Sequence, residues 1–117
     1  MTKFVSVTGH PLSFRAADGT GWELPVSGVV LNAKFVDTPA GTHATGITLV
    51  RTRIEPEPEA LVALARLEAE NPGALIVGSL IAAQGFPGRV VALIAAPGFE
   101  RKPPHEKRML DYKFTTF

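Results

Sequence analysis

Asn71-Pro-Gly-Ala-Leu-Ile-Val-Gly-Ser-Leu-Ile-Ala-Ala-Gln84 decides how the rest of the chain is read. Pro72-Gly73 ends a preceding helix, because proline lacks the amide donor that a helix interior uses. Ala74-Leu75-Ile76-Val77 is an unbroken apolar run of strand length, which predicts a strand covered on both faces. Gly78-Ser79 closes it. The Ser79 hydroxyl suits the orphan amides of a helix start. A strand feeding a helix start also gathers backbone N–H groups where an anion can sit. Ser79 therefore has two readings, a helix cap alone or a cap that also contacts a ligand.

Downstream, residues 79–85 predict a short helix closed by Gly85-Phe-Pro-Gly88. Arg89 to Ala96 predicts a second strongly apolar strand, turned by Pro97-Gly98. Met109 to Phe117 alternates, with Leu110, Tyr112 and Phe114 pointing one way. That final strand predicts an edge able to pair with another chain.

Upstream, the helix over 57–70 opens on Glu55-Pro-Glu-Pro-Glu59, where acids and prolines suit the positive end of the helix dipole. Leu61, Leu64 and Leu67 predict its apolar stripe, directed at the core. Phe4, Val5 and Val7 predict a first strand. Residues 12–25 predict a hairpin around the Asp18-Gly19 turn signal. Val29 to Val36 predicts a strand and 38–46 a loop. Ile47 to Ile54 predicts a strand with a bulge near Val50-Arg51, where the alternation changes phase. The order predicts one α+β domain over 1–117: a mixed, largely antiparallel sheet, flat or curled, with one main and one short helix.

Composition narrows the function classes. The absence of cysteine removes disulfides, thiol nucleophiles and cysteine metal sites together. A net charge of +1 gives nucleic acid no global electrostatic hold. The positive excess gathers in residues 73–117, chiefly in Glu100-Arg-Lys-Pro-Pro-His-Glu-Lys-Arg108. Met1-Thr-Lys-Phe-Val-Ser-Val lacks the apolar core of a signal peptide, and the longest apolar stretches are too short for a bilayer. The expectation is a soluble, cytoplasmic protein with no membrane partner.

Several turn-rich words share a pattern. Thr8-Gly-His-Pro11, Leu24-Pro-Val-Ser-Gly28, Glu55-Pro-Glu-Pro58, Asn71 to Ser79 and Ala96-Pro-Gly98 occur in that order. The chain resembles small phage and prophage proteins that carry an N-terminal Asn-Leu-Thr-Pro-His-Pro motif. It departs from them at Gly9 and Val26, and adds residues between Thr38 and Gly46. The resemblance implies a phage-type accessory protein, working in the host cytoplasm, and supplies no catalytic residues.

Candidate binding residues follow from side-chain chemistry. His10 precedes Pro11, so its backbone is extended and its ring projects from a rigid corner. It serves either as a ligand contact or as an organiser of the turn. Arg51 and Arg53 alternate along one strand, so both guanidiniums leave one face and suit a phosphate or carboxylate. Pairing with the nearby Glu55, Glu57 and Glu59 is the plainer alternative. Arg101 and Lys102 open the basic loop, with Phe99 and Tyr112 as flanking aromatic groups. His10, His43 and His105 have no short metal-binding spacing. No nucleotide fingerprint, nucleophile elbow or acid–base dyad stands in the sequence, and nothing calls for a cofactor.

These observations leave three functional readings ahead of a fourth, an enzyme, for which nothing supplies a nucleophile with its base. The first is a non-catalytic accessory protein that binds a small anion through His10, Arg51, Arg53, Ser79, Arg101 and Lys102. A signalling nucleotide, sequestered against host defence, or a host protein are its candidate partners. The second is a protein–protein module, either a virion component or an inhibitor of a host enzyme, with homo-oligomerisation included. The third is nucleic-acid binding through the 99–108 loop. The first requires basic side chains from distant segments to converge beside Gly78-Ser79.

Overall fold

The 71–84 stretch folds as its composition predicts. In the computed structural model, which describes residues 3–103 and 106–117, Leu75–Gly78 forms strand β6 and Leu80–Gly85 forms helix α2. The preceding elements are β1 (Phe4–Ser6), β2 (Leu12–Arg15), β3 (Gly21–Leu24), β4 (Ala33–Thr42), β5 (Thr48–Pro56) and α1 (Pro58–Glu70). β7 (Val91–Ala95) and β8 (Met109–Thr115) follow. The fold is α+β. Six strands form one mixed sheet in the order β1-β6-β7-β8-β2-β3, and β4 and β5 form a separate two-stranded ribbon. β1, β6 and β7 run parallel, as do β2 and β8; β7–β8 and β2–β3 are antiparallel.

β6 sits inside the sheet between β1 and β7, which is why its apolar residues need no polar face. Successive side chains on a strand leave opposite faces. Ile76 packs under the helices with Val5, Leu64, Leu67, Ala83 and Val90. Val77 packs on the other face with Leu12 and Phe14. That second cluster is aromatic: Phe14 stacks 4.7 Å from Trp22, and Phe4 lies 5.6 Å from Trp22 and 5.8 Å from Phe114. Phe4 belongs to one edge strand and Trp22 to the other, so the sheet is curled around these rings. Trp22 Nε1 donates to Asp111 Oδ2 at 2.8 Å, which satisfies its one polar atom inside the curl.

The structure corrects several expectations. β8 is not an edge: β7 and β2 flank it, and the edges are the short strands β1 and β3. Short edges limit unwanted pairing. On α1 the core face is Ala60, Ala63, Leu64 and Leu67, not Leu61 with Leu64 and Leu67. Residues i, i+3, i+4 and i+7 share a helix face, and Leu61 falls off that face. Residues 29–32 are not strand. Leu31 is buried beneath α1 and α2, and its N–H donates to Val7 O.

The largest correction concerns 38–46. β4 continues to Thr42, and only residues 43–46 turn. His43 N–H donates to Ile47 O at 2.8 Å, and Gly46 takes φ +87°, a conformation that β-branched neighbours resist. The irregularity falls on β4 between Pro39 and Thr42, not at Val50-Arg51. Pro39 has no ladder donor and Gly41 takes φ +91°, so the extra residue is accommodated there.

β4 and β5 therefore make a long arm. The molecule measures 54 × 36 × 20 Å with a radius of gyration of 16.8 Å, against about 13 Å for a compact domain near this length. The arm is fastened at its base, where α2 packs on both strands. Gly85 makes the close approach possible: a Cβ there would stand 2.5 Å from Ala33 Cβ and 3.5 Å from Ile54 Cγ2. Gly85→Val is expected to cost about 1–3 kcal/mol through overpacking. Urea denaturation measures the loss, and amide exchange at Ala33 and Ile54 should quicken with it.

Candidate functional site

Two surfaces stand out. The first lies at one end of the curled sheet. β1 and β6 run parallel and finish there, while β2 and β8 run the opposite way and begin there. Their connections meet in a cleft of about 230 Å³. Thr8, His10, Ser13, Ser79 and Lys107 supply its polar lining, and Leu12, Leu93 and Met109 its apolar floor. The carboxyl ends of parallel strands are common ligand positions in open sheets.

Local bonding fixes this wall. Ser6 Oγ and Thr8 Oγ1 lie 2.8 Å apart, and Thr8 Oγ1 donates to His10 O at 2.9 Å. His10 is exposed, with Nδ1 3.1 Å from Pro11 O. Ser79 is the N-cap of α2: its Oγ accepts from Ala82 N at 3.1 Å. The hydroxyl is therefore engaged in the turn that the sequence predicts.

The cleft gathers only part of the predicted basic set. His10 and Ser79 line it together. Arg51 and Arg53 do not: both sit on β5, in the separate ribbon, and are exposed. Arg53 pairs with Glu55 at 2.8 Å, the plainer of its two alternatives. Arg101 and Lys102 are exposed in the turn after Phe99 and do not line the cleft either. Lys107 lines it instead, a residue that was legible in sequence only as one of several cations in the basic loop. His105 lies outside the described residues. His43 is at the arm tip, with Nδ1 2.9 Å from Thr45 Oγ1. Among the described residues no group of three His, Asp or Glu side chains is arranged to hold a metal ion.

The nucleic-acid reading loses a stacking group. Arg15 lies over the Phe99 ring, 5.2 Å from its centroid, so that face is already covered. Arg89 is likewise engaged. It forms an ion pair with Glu68, and hydrogen bonding from its guanidinium holds that carboxyl below its ordinary range.

The second surface is the arm. Directly opposed residues of an antiparallel pair share a face. Phe35 with Ile54, Asp37 with Thr52 and Pro39 with Val50 make one face; Val36 with Arg53 and Thr38 with Arg51 make the other. On the first face Ile54 packs toward Gly85 at the base. Further out, Phe35 is 61% and Val50 55% exposed, and Ile47 at the turn is 63% exposed. Asp37 stands in the middle of this face and accepts from Thr52 Oγ1 at 2.6 Å. The second face carries Lys34, Arg51, Arg53 and Glu55. Alternation along 47–54 was the one sequence signal for this surface, but it did not reveal that both faces stand clear of the core.

No protein-family model matches the chain, and no curated protein or solved structure matches it. No helix among the described residues is long and apolar enough to cross a membrane.

Proposed function

We propose that this chain is a protein–protein module, in the phage-type accessory role its sequence words imply, and that the β4–β5 arm is the element that engages a partner chain. The observation that carries this reading is the unpartnered apolar face of the arm, with Phe35 and Val50 both more than half exposed. A two-stranded ribbon is at best marginally stable alone in water. Its apolar face gains stability only when another surface covers it, at roughly 25 cal/mol per Å² of apolar area removed from water. The arm makes no use of either buried cluster beyond its base, so core packing does not account for it.

The test places a photo-crosslinking amino acid at Phe35, at Val50, or at Glu23 as a control on β3, in the cells that make the protein. Positions 35 and 50 should each yield a discrete crosslinked chain, and position 23 none. Equal labelling at all three, or none at 35 and 50, contradicts the reading.

A second reading is supported by the cleft: capture of a small anion between His10 and Lys107. At about 230 Å³ it is smaller than the 300–1,000 Å³ typical of ligand pockets. That size suits an inorganic oxyanion better than a whole signalling nucleotide. Titration calorimetry with phosphate and with cyclic and linear nucleotides checks it, and loss of binding in Lys107→Ala would assign the site. Absence of heat across the panel removes it.

A further inference from the structure

We propose that the arm's partner is a second copy of this chain, and that the arm of one copy lies along the outer face of α1 of the next. The proposal rests on the assembly reading above and names its occupant.

α1 is apolar on both sides. Leu64 and Leu67 fill the core. On the opposite side Pro58, Val62, Ala65 and Ala69 recur at spacings of four, three and four, and all are exposed. Val62 is 64% and Leu61 at the flank 38% exposed. Charged Glu59, Arg66, Glu68 and Glu70 stand between the two stripes, so the outer one is a separate exposed apolar row that another surface can cover. The arm face and the helix face are thus two unpartnered apolar surfaces on one molecule.

Their dimensions agree. α1 has 13 residues, about 20 Å at 1.5 Å per residue. The arm from Phe35 to Thr42 runs about 23 Å at 3.3 Å per residue.

Their charges are complementary. Asp37 stands in the middle of the arm's apolar face. Arg66 stands beside Val62 and Ala69 on the flank of α1's outer stripe, and is exposed. Among the described residues the ion pairs are Arg53–Glu55 and Arg89–Glu68, so neither Asp37 nor Arg66 has a partner of opposite charge there. Stacking two arms about the middle of their apolar faces would instead set Asp37 against its own copy, a like-charge contact that disfavours that pairing.

Because arm and helix are different patches, the contact is heterologous. Each copy gives one arm and receives one, so the assembly closes into a ring or continues as a filament. A single narrow ribbon on one helix covers less than the roughly 800 Å² per partner of a standard interface. Association is therefore reversible and rises with concentration.

Sedimentation velocity on the purified full chain, from about 1 μM to about 1 mM, covers the affinities of small reversible interfaces. The mass should rise above the monomer. An arm variant, Phe35→Ser with Val50→Ser, and a helix variant, Val62→Glu with Ala65→Glu, should each stay monomeric. All four positions are exposed, and circular dichroism verifies that both variants remain folded. Mixed in equal amounts, the two variants should form a one-to-one dimer and nothing larger, because each pair retains one intact arm and one intact helix. A wild-type chain that stays monomeric throughout, or a mixture that gives no dimer, overturns the proposal. A monomeric wild type whose position 35 still crosslinks to a different protein would overturn this inference alone. Silence at position 35 would remove the assembly reading with it.

Discussion

Phe14→Ala is expected to destabilise the domain by about 3–5 kcal/mol, the cost of truncating a fully buried aromatic side chain. Phe14 is 0% exposed. Its ring is stacked against Phe4 at 5.8 Å and Trp22 at 4.7 Å, and meets Phe114 edge-on at 6.3 Å. Those rings come from β1, β3 and β8, so this one side chain touches both edges and the middle of the curled sheet. Its removal leaves a cavity that three neighbours share and that backbone strands, tied by ladder bonds, close poorly. At roughly 4 °C per kcal/mol for a domain near this size, the thermal midpoint should drop by more than about 10 °C. Near-ultraviolet circular dichroism should weaken with it, since Trp22 loses its stacking partner. Urea denaturation gives the free energy. Leu80→Ala, at a mostly exposed site on α2, serves as the control and should stay within about 0.5 kcal/mol of wild type. A Phe14→Ala change below 1 kcal/mol would mean that the rings do not organise the curl.

Shortening the arm should do the reverse: little to stability, everything to association. Joining Val36 to Arg53 through Asn-Gly removes residues 37–52. Val36 and Arg53 are already paired across the ribbon, and Asn-Gly favours the tight turn that matches strand twist. Neither buried cluster contains a residue between 37 and 52. Ala33 and Ile54 remain to pack against Gly85. The urea midpoint should therefore hold, while every complex made through Phe35's outer neighbours, Pro39 and Val50, disappears. A large loss of stability would show that the arm belongs to the core and not to an interface.

Much of this architecture was legible in sequence, and the parts that were not share a physical cause. The strand–Gly78-Ser79–helix unit could be read because proline, glycine and a capping hydroxyl act over three or four residues. The two-faced burial of β6 could be read from Ile76 and Val77, since a strand with no polar alternate needs cover on both sides. The curl could not be distinguished from a flat sheet, because it is enforced by contacts such as Trp22 with Asp111, far apart in the chain. The length of the arm was hidden by Thr38-Pro-Ala-Gly-Thr-His-Ala-Thr-Gly46. That composition signals a loop, yet β-branched Thr38 and Thr42 continue the strand and Gly41 absorbs the irregularity between them.

The candidate site divides in the same way. His10 beside Pro11 and Ser79 after Gly78 were local signals, and both line the strand-end cleft. Arg51 and Arg53 were correctly placed on one face of one strand. Nothing in their spacing said which sheet that strand would join, and it joined the ribbon. Lys107 could not be chosen over Arg101 and Lys102, because a run of cations carries no information about which one turns inward. Leu61 was read into the core stripe of α1 because apolarity alone does not say which side of a helix meets the core.

The most direct test of the arm as the working surface compares two proteins purified under native conditions from the cells that make them: the full chain and the Asn-Gly-shortened chain. Native mass spectrometry reads the mass of each. The account predicts that the full chain carries at least one further protein chain, its own copy or another, and that the shortened chain is a folded monomer. The same number of chains in both, whether each is a monomer or each carries the same partners, would contradict it.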